Sequence, residues 1–276
     1  MSYNPERHHR NEHRTPDDLH TPVRNHYFYG KLLDVFHLEL EQTYFNSKRH
    51  LLNRLVTGPG VVCGLDVRLT DDGVVVMPGF AIDRCGREII VASPSRPVPL
   101  PPLPEYRGEQ SGKGYESNRQ GRRGSKSDDE YEGHYYCEIP FAHVVLCYHE
   151  CESEPTPALA GDCETVTLCA SGSIREQYKV KIKEGYAPVR QSNFPRNAIQ
   201  NGELNYPALA RYVTDNCRPW PDDCCLPLAN IELREEEDHW EPEVDISVRP
   251  IVYTNRLLLD LIRTLVRREE TENSEV

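Results

Sequence analysis

The sequence predicts a mostly β chain with a few helices, an α+β arrangement. An N-terminal helix joins a small antiparallel β module, and a second, cysteine-rich β module ends in a C-terminal helix. Three observations point there. Short stretches alternate apolar and polar side chains with period two, the pattern of half-buried strands. Segments 34–57 and 252–268 instead carry apolar residues at helical spacing. With 22 prolines and 17 glycines the chain is rich in residues that end elements, which favours short strands and many turns over a helical bundle.

Residues 1–24 combine Pro, Asp, Asn, Arg and His with almost no apolar side chains, so a flexible arm is expected. Its His8, His9 and His13 read as solvated side chains, because nothing pre-organises their imidazoles. Asp34 is a candidate N-cap for a helix to residue 57 with the stripe Val35, Leu38, Tyr44, Phe45, Leu51, Leu52, Leu55 and Val56. Gly58-Pro59-Gly60 stops it. In 61–69, Val61, Cys63, Leu65, Val67 and Leu69 alternate with Gly64, Asp66 and Arg68, which predicts one strand. Asp71-Asp72-Gly73 is a hairpin turn. A return strand at 74–77, a break at Pro78-Gly79, a strand at 80–83, a turn at Arg84-Cys85-Gly86 and a strand at 87–91 complete a meander.

The Pro-rich run 94–104 and the apolar-poor stretch that follows predict a semi-rigid spacer and a disordered loop over 93–134. A regular strand at 136–151 would place Cys137, Phe141, His143, Val145, Cys147, His149 and Cys151 on one face. At 177–183, Tyr178, Val180 and Ile182 alternate with Lys179, Lys181 and Lys183. Residues 185–204 look like loop, and Pro207 suits the first turn of a short helix ending near 214. Strands at 228–234 and 244–248 precede an amphipathic helix at 252–268 carrying Leu257, Leu258, Leu261, Ile262, Leu265 and Val266. The resulting division is an arm at 1–24, a helix and β-meander module at 25–92, a spacer and loop at 93–134, and the cysteine-rich module at 135–276.

Net charge is −12, from 32 Lys+Arg against 44 Asp+Glu, so the basic footprint needed by a nucleic-acid partner is missing. Residues 1–14 are polar and His-rich, unlike a secretory signal, and no stretch approaches the ~20 apolar residues of a spanning helix. A soluble chain made in the cytoplasm is the expectation. Thiols stay reduced there, so the ten cysteines read as buried side chains or metal ligands; disulfides become the expectation where an assembly matures outside the cell.

Cys63, Cys85 and Cys137 suit the role of small buried hydrophobes. For the cysteines between 147 and 225, metal ligation, disulfides and plain burial remain open. The metal reading is a structural zinc site built on Cys151, Cys163, Cys224 and Cys225, with Cys147, His149, Cys169 and Cys217 as further candidates, because thiolates and imidazoles in the apolar-poor loops expected at 152–176 and 215–225 can hold a tetrahedral ion that replaces missing core. Catalytic residues are not expected. Gly58-Pro59-Gly60 follows a helix rather than a strand and lacks the Lys-Ser/Thr of a phosphate loop, and Ser171-Gly172-Ser173 falls in a predicted loop. A nucleophilic Cys147 beside His149 would lack a third, orienting group.

The segments His26-Tyr27-Phe28-Tyr29-Gly30-Lys31-Leu32-Leu33, Gly60-Val61-Val62-Cys63-Gly64-Leu65-Asp66-Val67 and Val76-Met77-Pro78-Gly79-Phe80-Ala81-Ile82-Asp83 together resemble a module of phage tail-fibre and baseplate proteins: a helix, a G-V-x-x-G-L-x-V strand and a V-x-P-G-x-A-x-D hairpin. The match covers about residues 26–91. Glu150-Cys151, Pro155, Cys163, Cys169 and Ser173-Ile174-Arg175-Glu176 resemble bacterial proteins of extracellular contractile injection systems. The resemblance implies a non-enzymatic structural or assembly component of a phage-tail-like particle, at its baseplate or fibre end, with other particle proteins as partners. The terminal helix, through Leu257, Leu258, Leu261, Ile262 and Leu265, is the natural docking element. The rival readings are a metal-binding adaptor and a cysteine-dependent enzyme.

Overall fold

The structure is a computed structural model that describes residues 21–104, 139–157, 169–188, 193–200, 202–215, 221–236 and 239–274. It is mostly β, with helices towards both ends. Helix α1 (Val35–Leu52) starts where expected, because the Asp34 carboxylate accepts a hydrogen bond from the His37 backbone N–H at 3.1 Å. That bond and the adjacent His37 ring hold the Asp34 carboxyl below the usual range. After α1 the chain winds into a π-helical turn, Asn53–Thr57. There Asn53 Nδ2 donates to Gly86 O at 2.9 Å and to Glu88 Oε1 at 2.8 Å, while Arg49 Nε lies 3.2 Å from Glu88. The helix is thus fastened at its C-terminal end.

Five short strands follow: β1 (Gly60–Gly64), β2 (Val67–Thr70), β3 (Gly73–Val76), β4 (Gly79–Ile82) and β5 (Glu88–Val91). The single strand expected at 61–69 is two. Gly64 and Leu65 both have positive φ, 64° and 59°, and this left-handed step turns the chain out of the sheet β1-β4-β5 into the separate β2–β3 hairpin. Leu65 is thereby driven into the core, fully buried. Gly64 pairs with Gly79 across the β1–β4 ladder. A Cβ at Gly64 would overlap Pro78 O, and one at Gly79 would overlap Leu65 N. The two motif glycines are therefore required by each other's close approach. The motif's last residue, buried Asp83, accepts hydrogen bonds from Cys85 N (2.9 Å), Arg87 N (2.9 Å) and Arg87 Nε (2.8 Å), and so shapes the turn into β5.

Two edge strands of this module, β3 and β1, are met by other parts of the chain. Val74 exchanges backbone hydrogen bonds with Val98, so the start of the Pro-rich run lies along β3 instead of hanging free. Val61 N donates to Pro250 O at 2.8 Å and Val252 N to Val61 O at 3.0 Å, which brings the segment before the last helix onto β1. Residues 1–20 and 105–138 lie outside the described residues, and with them the arm through residue 20 and the spacer and loop expected over 93–134 from residue 105 onwards.

The second sheet is antiparallel in the order β11-β10-β6-β7, from β6 (Ile139–Pro157), β7 (Cys169–Glu184), β10 (Leu226–Glu236) and β11 (His239–Asp245). Between β7 and β10 lie a two-residue hairpin, β8 (Ile199–Gln200) with β9 (Glu203–Leu204), where loop was expected, and the short helix α2 (Tyr206–Asp215). Asn205 caps α2, and Pro207 sits in its first turn. Strand β11 lies earlier than the expected 244–248. The largest correction concerns 152–176. Described residues 152–157 and 169–176 are not loop but continuations of β6 and β7, including Ser171-Gly172-Ser173.

One hydrophobic cluster joins Val61, Leu65, Val67, Val74, Val76, Ala81, Ile89 and Val91 to Ala142, Val144, Leu146, Leu226, Leu228, Ala229 and Ile231. Both segments, 25–92 and 135–276, contribute to it. Two polar side chains buried in the second sheet bond to the backbone: Asn230 Oδ1 accepts from Ala187 N at 2.9 Å, and His143 Nδ1 lies 2.7 Å from Gly185 O. Both bonds pin the turn that follows β7.

Gly79→Ala is expected to destabilise the fold by about 2–3 kcal/mol, because the added Cβ must push apart two backbone strands. Urea unfolding checks this: an unchanged midpoint would show that the Gly64–Gly79 contact can relax without loss.

Candidate functional site

Asp223-Cys224-Cys225, just before β10, lies where the two sheets meet. Cys224 is bonded to Cys85 in the β4–β5 turn, with Cα atoms 5.3 Å apart, and Cys225 to Cys147 on β6, with Cα atoms 4.4 Å apart. Two neighbouring residues thus fasten the first module and the central strand of the second sheet at a single junction. Arg84 N donates to Cys224 O at 3.1 Å. The Asp223 carboxylate accepts from Cys225 N at 2.9 Å and from Lys183 Nζ at 2.7 Å. Burial opposes the ionisation of Asp223, but these hydrogen bonds and the charges of Lys183 and Arg84 outweigh it and keep the carboxyl below its usual range.

Cys85 is buried as expected but bridged rather than reduced, and of the three readings left open for Cys147, Cys224 and Cys225 the structure has the disulfide. Adjacent cysteines fit poorly on one ion, yet they serve two separate bridges well, since neighbouring side chains in extended backbone point to opposite sides. Cys151 is exposed on β6 opposite Arg175, and Cys169 is exposed opposite Pro157. Six ladder positions separate those two pairs, roughly 20 Å, so Cys151 and Cys169 do not converge. Cys63, expected to be buried, is exposed as well. His149 faces Gln177. Cys137, Cys163 and Cys217 lie outside the described residues. Among the described residues no three or more His, Cys, Asp or Glu side chains are gathered as a metal ion would require. The Cys147 sulfur is held in its bridge to Cys225, which removes the thiol from the nucleophile reading.

Beyond the core, β6 and β7 continue as a two-stranded arm from the Tyr148–Tyr178 pair to the Pro157–Cys169 pair, about 30 Å of ladder. Its side chains are exposed or half-buried. Ser153 Oγ lies 2.8 Å from Ser173 Oγ, and Ser171 Oγ donates to Ser153 O at 3.1 Å, so hydroxyls lace the strands where apolar packing is missing. At the base, the Arg87 guanidinium stacks 4.6 Å above the Tyr148 ring and the Tyr148 hydroxyl donates to Glu150 at 2.8 Å. Burial, with the carboxylates of Glu150 and Glu176, pushes that hydroxyl far above its usual range and keeps it protonated.

Two helices leave apolar faces in solvent. In α1, Leu38, Phe45 and Leu52 are exposed and no residue is buried. In α3 (Asn255–Ser274), begun by Thr254 Oγ1 accepting from Leu257 N at 3.2 Å, Leu257 is half-buried while Leu258, Leu261, Ile262 and Leu265 are 42–62% exposed. Neither face is covered by the chain's own core cluster. No helix among the described residues is long and apolar enough to cross a membrane. No protein-family model, curated protein or solved structure matches the chain.

The bridges close loops of 139 and 78 residues, so losing either is expected to destabilise the fold by about 2–4 kcal/mol, roughly 5–15 °C in Tm. Calorimetry of Cys224→Ser and Cys225→Ser beside the oxidised parent measures it. Peptide mapping without reductant should recover the Cys85–Cys224 and Cys147–Cys225 pairs; free thiols at all four positions would remove the junction.

Proposed function

We propose that the chain is a non-enzymatic structural part of a phage-tail-like contractile particle, placed at the baseplate or fibre end and held there by α3. The observation that carries this reading is the open apolar stripe of α3, Leu258, Leu261, Ile262 and Leu265, on a helix that extends from a segment fastened to β1. Apolar surface of this kind at the end of a rigid body needs a groove in another protein to leave water. The resemblance of residues 26–91 to tail-fibre and baseplate modules names the class of assembly. Three features support the role. The motif residues Gly64, Gly79 and Asp83 act on backbone geometry, as a scaffold requires; the bridged core is rigid; and bridges suit a particle that works outside the reducing cytoplasm.

The rival reading, a zinc-binding adaptor, draws on the same cysteine junction in its reduced form. Metal analysis under reducing conditions separates the two: bound zinc whose removal lowers thermal stability supports the adaptor, and a zinc-free chain of unchanged stability dismisses it.

Particles sedimented from the producing cells should contain the chain together with sheath and tube proteins, and its absence from that fraction would overturn the assignment. Leu258→Asp and Leu261→Asp should abolish incorporation while leaving the melting temperature of the isolated chain within a few degrees of the parent. Unfolding of both variants would instead make the stripe part of the chain's own core.

A further inference from the structure

We propose that α1 is the interface of a two-fold homodimer, in which it pairs antiparallel with α1 of a second copy of this chain. Leu38, Phe45 and Leu52 recur every seven residues, two helical turns, and form one stripe along the helix. They are 55%, 61% and 59% exposed. Phe45 is the midpoint of the stripe. A two-fold axis beside it sets Phe45 against its own copy, Leu38 against the second copy's Leu52, and Leu52 against the second copy's Leu38. An isologous contact requires this self-complementarity.

Charge selects the same arrangement. The acidic residues of α1, Glu39 and Glu41, stand before Phe45, and the basic residues Lys48 and Arg49 stand after it. In the antiparallel register that stacks stripe on stripe, Glu41 lies opposite the second copy's Lys48 and Arg49, twice per dimer. A parallel pair would set Glu41 on Glu41 and Lys48 on Lys48, which is repulsive at both places. Opposed helix dipoles add to the antiparallel preference. Within its own chain Glu41 accepts a hydrogen bond from the Tyr27 hydroxyl, and Arg49 already leans on Glu88. The Tyr27 contact lays the run Tyr27-Phe28-Tyr29, exposed along its length, beside the Glu41 edge of the stripe. That run enlarges the apolar surface around a helix about 27 Å long towards the roughly 1,000 Å² a stable pair needs. The inference rests on α1 alone and does not depend on membership of a particle.

Sedimentation equilibrium of the full chain at micromolar concentrations tests it. The expected mass is twice 31.7 kDa. Phe45→Glu, Glu41→Lys and Lys48→Glu should each weaken the dimer by roughly tenfold or more. Because α1 buries none of its residues, the three variants should keep the parent's circular dichroism, and they should melt where the parent does when diluted to monomer. Mixing E41K with K48E in equal amounts should restore the dimer, since in the hybrid positions 41 and 48 of one chain are both basic and face positions 48 and 41 of the other, both acidic. A parent that stays monomeric, a dimer indifferent to all three substitutions, or a mixture of folded E41K and K48E that fails to associate would each overturn the interface.

Discussion

The burial of Leu65, Val74 and Val76 in the same cluster as Val144, Leu146, Leu228 and Ile231 is the contact on which the rest of the structure depends. Each of these side chains removed from water contributes about 1.5–3 kcal/mol. Neither sheet is large enough to bury both of its faces alone, and strands of four or five residues are marginal without such a partner. The packing sets the β4–β5 turn beside the start of β10, with Cys85 and Cys147 bonded to Cys224-Cys225. The bridges close long loops, which is where a cross-link restricts the unfolded chain most.

The same packing explains what is left outside. Among the described residues the core cluster draws its side chains from the strands and their connections, and the helices at 35–52 and 255–274 contribute none to it. Each is fastened at one end, α1 through Asn53 and Arg49 to the β5 region and α3 through 250–252 to β1, and each projects an apolar stripe. The β6–β7 arm projects as well, held by hydrogen bonds instead of burial. A body with three projecting elements and a cross-linked centre supports the proposal of an assembly part, and the resemblance in 26–91 supplies the kind of assembly.

Much of the local structure was legible in the residues. Asp34 as N-cap, the Gly58-Pro59-Gly60 stop, the Asp71-Asp72-Gly73 turn and the short α2 with Pro207 in its first turn follow from backbone preferences that act within a few residues. The 61–69 strand failed as a single element because alternation reports side-chain facing and carries no signal of a left-handed step; the glycine at 64 beside the Pro78-Gly79 pair was the available hint. Strand signals at 152–157 and 169–176 were faint for a related reason. A ribbon with solvent on both faces needs no apolar alternation, only a partner ladder, and its serines and glutamates look like loop.

The sequence by itself determined the fold class, the positions of the helices and hairpins of the first module, and the amphipathic character of the last helix. These depend on period, caps and turn residues that lie close together in the chain. Only the tertiary structure decided which cysteines meet, that both segments share one core, and that the stripes of α1 and α3 stay open. Those outcomes depend on contacts between residues as far apart as Cys85 and Cys224, and no local pattern encodes which of two apolar surfaces reaches the core first.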